Sequence, residues 1–139
     1  MSKAYYIGVE IGGTKQQLAV GLSDGTILDS RQVKLVYRRG AEDILDWLSD
    51  NIREYLAMAP YAGHIAGIGV GFGGPLETAT GRVLSSLQVP GWKNFQLKQW
   101  FETEFGLPVM VVNDTVTGGF AELYKGAGRN SENFFYTNI

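Results

Sequence analysis

The chain has 139 residues, 45% hydrophobic and 19% charged, with a net charge of −2, which suits one domain with a real core. Its charges are scattered, with no basic cluster beyond Arg38-Arg39, so no nucleic-acid partner is expected. No apolar run approaches the roughly 20 residues of a membrane span, and Met1-Ser2-Lys3 leads directly into a strand, so a cytoplasmic protein without membrane contact is expected; the absence of cysteine excludes disulfides and thiolate zinc sites within these residues.

Ala4 to Ile11 is nearly continuous apolar sequence, as in a central strand covered on both faces. Lys15 to Ser23 reads as a second strand, Asp24-Gly25 as a two-residue hairpin turn, and Thr26 to about Leu35 as a third strand. From Ala41 to Met58, Ile44, Trp47, Leu48, Ile52, Tyr55 and Leu56 recur at helical spacing, with Glu42 and Asp43 in the first turn and Pro60 as the stop. Ile65 to Phe72 alternates glycine with Ile, Val and Phe, the pattern of a buried strand whose backbone is closely approached. Leu76 to Leu87 holds a small excursion turning at Thr80-Gly81. Gln96 to Phe105 predicts a short helix with Leu97, Trp100, Phe101 and Phe105 inward and Gly106 as its cap. Val109 to Val112 predicts another buried strand, and Asn113 or Asp114 caps a helix through Tyr124 with Val116, Phe120, Leu123 and Tyr124 on one face. Gly126 to Asn133 reads as a linker and Phe134-Phe135-Tyr136 as the start of a strand without a partner. The order predicts an α/β fold, a mixed five-stranded sheet with helices on its faces, cut from a longer protein.

Three groups of residues carry chemistry. In Glu10-Ile11-Gly12-Gly13-Thr14-Lys15, two residues without Cβ let backbone N–H groups approach an anion, Thr14 and Lys15 add a hydroxyl and a cation, and Glu10 suits a metal-bound water; a plain hairpin turn is the alternative. Asn113-Asp114 puts a carboxylate where a buried strand meets a helix, able to accept a proton from a bound hydroxyl, or to act merely as a cap. Gly118-Gly119 inside that helix costs on the order of 1 kcal/mol per residue against alanine, which close approach by another element or a ligand would offset. Gly69, Gly71 and Gly74 match the spacing of a dinucleotide fingerprint, but Pro75 follows and no helix opens there. The P-loop pattern is absent because Gly13 is followed by Thr14, and His64, the single histidine, reads as structural or solvated.

Gly8-Val9-Glu10-Ile11-Gly12-Gly13-Thr14-Lys15, Gly73-Gly74-Pro75, Val89-Pro90-Gly91-Trp92-Lys93-Asn94, Leu107-Pro108-Val109 with Asn113-Asp114, and Tyr124-Lys125-Gly126-Ala127-Gly128 occur in that order. Together they resemble the N-terminal lobe of the ROK family of repressors, open-reading-frame proteins and sugar kinases, over essentially the whole chain. The resemblance implies an actin-like, ribonuclease-H-like lobe over residues 1–125, with 126–139 as linker and first strand of a C-terminal lobe. It implies an ATP-dependent kinase of a hexose or N-acetylhexosamine, glucokinase-like, with Asp114 as general base and Asn113 on a neighbouring hydroxyl. Gly12, Gly13, Thr14 and Lys15 would lie near the ATP phosphates, Glu10 near Mg2+, and Gly74 and Gln88 at the sugar.

Three departures from the family pattern stand out. Glu10 stands where the family usually has Asp, Gln88 where an asparagine commonly contacts sugar, and Val116 with Gly118-Gly119 where Asn and Ala usually follow the aspartate. These motivate a degenerate, non-catalytic relative as an alternative, beside a sugar-sensing repressor domain. The resemblance also places the family's second phosphate loop, adenosine pocket, zinc-binding cysteine motif and sugar-binding Glu-His segment beyond Ile139. This lobe alone is therefore expected to bind ATP poorly, and exposed Phe134 and Phe135 would favour a homo-oligomer.

Overall fold

The computed structural model describes residues 3–34 and 39–137. Eight strands and three helices are found among them: β1 Tyr5–Ile11, β2 Lys15–Gly21, β3 Ile27–Lys34, α1 Ala41–Ala57, β4 Ile65–Phe72, β5 Leu76–Glu77, β6 Arg82–Val83, β7 Phe95–Gln96, α2 Leu97–Phe105, β8 Val109–Asn113 and α3 Asp114–Lys125. The main sheet has five strands in the order β3-β2-β1-β4-β8. β1, β4 and β8 are parallel, and β2 and β3 run antiparallel as a meander. This is the mixed five-stranded sheet expected from three hairpin strands followed by βαβα units.

Alternation along the strands decides the core. Tyr5, Ile7, Val9 and Ile11 of β1 and Gln16, Leu18 and Val20 of β2 are buried on one face, where Ile44, Leu48, Ile52 and Tyr55 of α1 join the same cluster. Leu97 and Phe101 of α2 are also fully buried there, while Trp100 and Phe105 are half-buried. The other face is open, so β1 is covered on one face and not on both as its apolar run suggested: Tyr6, Gly8, Glu10, Gln17, Ala19 and Gly69 line a broad concavity of about 1120 Å³.

Several expected boundaries move, each for a local reason. Asp24-Gly25 is not a two-residue hairpin: β2 and β3 last pair at Gly21 and Ile27, and residues 22–26 connect them. Leu22 N–H donates to the Thr26 carbonyl and Thr26 N–H to Asp24 Oδ1, so an Asx turn closes the loop instead. Leu35, the expected end of β3, and Arg38 lie outside the described residues. Thr80 and Gly81 do turn the excursion, which forms a second sheet of three short strands, β5-β6-β7. Gly106 caps α2 in the left-handed conformation, as its lack of Cβ allows.

The expected apolar stripe of α3 is exposed: Val116, Phe120 and Tyr124 are 46%, 52% and 67% exposed. Residues 126–131, within the expected linker, fold back on the helix end, with Gly126 and Gly128 N–H both donating to the Glu122 carbonyl. Phe134-Phe135-Tyr136 forms no strand. Tyr136 instead lies over the glycine pair of α3, where a Cβ built on Gly118 would fall 2.7 Å from its hydroxyl oxygen. The second element that the two helical glycines called for is therefore this ring.

Candidate functional site

Parallel strands β1, β4 and β8 end at one edge of the sheet, the edge at which α/β folds bind ligands. β8 passes into α3 without a loop. Asn113 is the cap: its Oδ1 accepts from Thr115 N–H at 3.0 Å, and its Nδ2 donates to the Gly74 carbonyl at 3.1 Å. Asp114 is the first helical residue, where the helix dipole favours its ionised form. A Cβ built on Gly73 would lie 3.0 Å from Asp114 Oδ2 and 3.4 Å from the Ile11 carbonyl, so the half-buried carboxylate stands over Gly73 between the ends of β1 and β8. Asn113 is thus the residue that caps α3, which leaves the Asp114 carboxylate free of that duty.

Gly73 N–H donates to the Ile11 carbonyl at 2.9 Å, tying the end of β4 to the start of the Gly12-Gly13 turn. Gly74 donates to Phe72 and accepts from Asn113, so both of its backbone polar groups hold the loop together. Glu10 pairs with Gly71 on β4 and Gln17 on β2, and Gln17 Nε2 donates to its Oε2. Gln17 is a site residue that sequence reasoning missed; the cross-strand register of the hairpin is the signal that could have found it. Thr117 is another, its Oγ1 lying 3.1 Å from where a Cβ on Gly71 would sit and donating to the Asn113 carbonyl.

In the turn itself, Gly12 N–H donates to the Lys15 carbonyl at 3.2 Å, but among the described residues Gly13 and Thr14 N–H donate to no backbone carbonyl. Thr14 is exposed at the apex, and Lys15 begins β2 on the face of Gln17 without an ion pair among the described residues. Gln88 arrives from the other side. Ser86 Oγ accepts from the N–H groups of Gln88 and Val89, and buried Trp92 packs edge-on against Phe72 and Phe95, with centroids 5.4 and 5.3 Å away. The segment also closes on α1, since the Pro90 carbonyl accepts from Ala41 N–H at 2.8 Å and serves a helix start that has no side-chain cap. Held this way, the Gln88 amide occupies the space in which a side chain on Gly13 would stand.

Glu10, Gly12, Gly13, Gln88, Gly74, Asn113 and Asp114 therefore meet along one edge. A turn whose Gly13 and Thr14 N–H groups donate to no backbone carbonyl among the described residues, with an ammonium nearby, can hold oxyanions, and a carboxylate over a glycine can take a proton from a hydroxyl placed against it. Among the described residues no group of three acidic or histidine ligands assembles. Magnesium needs no such cage when phosphates complete its shell, and a single carboxylate steadied by Gln17 fits that mode.

Residues 6–139 match the family model described as the ROK family. A glucokinase from Halalkalibacterium halodurans is 32% identical over 145 residues, covering 100% of this chain and 42% of that protein. A beta-glucoside kinase from Listeria innocua is 28% identical, covering 94% of this chain and 42% of that protein. The crystal structure of a ROK family glucokinase from Streptomyces griseus, in complex with glucose and AMPPNP, superposes with a TM-score of 0.74 at 31% identity over 91% of this chain and 38% of that one. The chain thus spans about two fifths of the length of these relatives, and its fold is that of the actin-like sugar kinases.

Proposed function

The chain belongs to the ROK family, and from that premise we propose that it forms the N-terminal lobe of an ATP-dependent sugar kinase, with residues 1–125 as the lobe and 126–139 leading to a second one. The observation that carries this reading is the Asp114 carboxylate over Gly73, on the same sheet edge as the Gly13 and Thr14 N–H groups, which donate to no backbone carbonyl among the described residues. The sugar hydroxyl gives its proton to Asp114 as its oxygen bonds to the γ-phosphorus. The bond from that phosphorus to the β-γ bridging oxygen breaks, and ADP leaves. Such transfer is driven by positioning and charge stabilisation, so one placed carboxylate facing one anion-holding turn is a suitable division of tasks. Mg2+, when bound beside Glu10, would neutralise charge on the phosphates. Lys15 adds a cation to the same phosphates, and Gln88, Asn113 and Gly74 bound the sugar side.

The substrate class is a hexose, a β-glucoside or an N-acetylhexosamine, and glucose is the first sugar to assay. The test is sugar-dependent ADP release by the full-length protein. Asp114→Asn, which keeps shape and the helix start, is expected to lower kcat by about 10²–10⁴. Near-normal turnover in that variant would end the assignment. Sugar binding without ADP release in the unaltered full-length protein would favour the degenerate relative instead.

A further inference from the structure

Gln16 is 0% exposed on the core face of β2, where its neighbours Leu18 and Val20 are apolar. Burying an amide is costly unless it is hydrogen-bonded, and an apolar side chain of similar shape can be as stable or more so. The position calls for a reason other than packing. Gln16 Nε2 donates to the Gly12 carbonyl at 3.0 Å from beneath the turn, while Gly12 N–H is committed to the Lys15 carbonyl. A trans peptide is planar, so the Gly12 carbonyl and the Gly13 N–H point in opposite directions. Drawing the carbonyl toward the core turns the Gly13 N–H away from it. The two glycines have no side chain of their own to hold that peptide, so Gln16 supplies the restraint from below.

We propose that Gln16 is a positioning residue that presets the Gly12–Gly13 peptide for the oxyanions of a polyphosphate chain. It acts through the turn and touches no substrate atom. This rests on the phosphate-binding reading of the turn. A preset donor spares the cost of ordering it on binding, so the residue sets affinity for phosphate more than stability of the lobe.

The experiment titrates the full-length protein, labelled with nitrogen-15, with inorganic tripolyphosphate, following the amide signals of Gly13 and Thr14. The same titration is run on Gln16→Met, with thermal melts of both proteins. The expected result is saturable shifts at Gly13 and Thr14, weakened about fivefold or more in Gln16→Met, while the melting midpoint changes by no more than a few degrees. Equal affinity in the two proteins overturns the positioning role and leaves the phosphate turn standing. Absence of shifts in the unaltered chain overturns both. Should Gln16→Met fail to fold, Gln16→Leu takes its place in the same titration, and loss of fold in both makes Gln16 a stability residue and ends the proposal.

Discussion

On the face covered by α1, the central strands present Ile7, Val9, Ile11, Leu18 and Val20, none more than 5% exposed; on the other, β1, β2 and β4 present Tyr6, Gly8, Glu10, Gln17, Ala19 and Gly69 to an open concavity. The same strands thus serve two purposes through the two-residue period of extended chain. Branched side chains on the first face fill space against α1. Small and polar ones on the second leave room, and the carboxyl edge shared by both faces collects the groups that can do chemistry. Damage to the covered face should therefore lower stability, damage at the edge should lower function, and small additions to the open face should do neither.

The sharpest division is expected from Asp114→Asn. Beyond its effect on turnover in the full-length protein, it should leave the melting midpoint of the chain nearly unchanged, because the capping bonds belong to Asn113. A large loss of stability, read by thermal denaturation, would mean that the edge and the core are not separable. Leu48→Ala works from the opposite side. Leu48 is 0% exposed between α1 and the sheet, and its truncation should cost about 2–5 kcal/mol in denaturant unfolding.

A pair of glycine substitutions compares buried and open backbone directly. Gly40 has φ of 68° and a Cβ there would fall 2.3 Å from the Pro90 carbonyl oxygen, so Gly40→Ala should lose about 1–3 kcal/mol in the same unfolding measurement. It should also loosen the segment that carries Gln88. Gly69→Ala, which meets nothing within 4 Å, should be neutral or gain up to about 1 kcal/mol. Equal losses in both would refute the open face.

The smallest effect concerns the clasp between β3 and α1. Burial, with a bond to Asp29 at 2.9 Å, pushes the Tyr55 hydroxyl up from 10.0 to about 12. The folded protein thus favours the protonated phenol, a contribution fully present below pH 10 and lost as pH rises toward about 12. Comparing unfolding of the unaltered chain and Tyr55→Phe across that window should show a steeper decline in the unaltered chain. Parallel curves would remove Tyr55 from the account.

Much of this was legible in the residues themselves. An apolar run marked β1, alternation marked β4, and helical spacing marked α1 and α2, each to within a residue or two, because burial imposes its pattern on the chain locally. Glu10, Gly12, Gly13, Asn113 and Asp114 stood out because carboxylates, amides and glycines at strand ends have few other uses together. What the sequence could not supply was distance. The Gln17 bond to Glu10 depends on hairpin register, the placing of the Gln88 amide against Gly13 depends on a loop pinned by Trp92 some residues away, and the capping role of Asn113 depends on where the helix begins. The exposure of the apolar stripe of α3 was out of reach for the same reason, since periodicity reports that a face is apolar but not whether anything covers it. Local pattern follows from each residue's own chemistry, whereas partners brought from distant positions are chosen by the packing of the whole lobe.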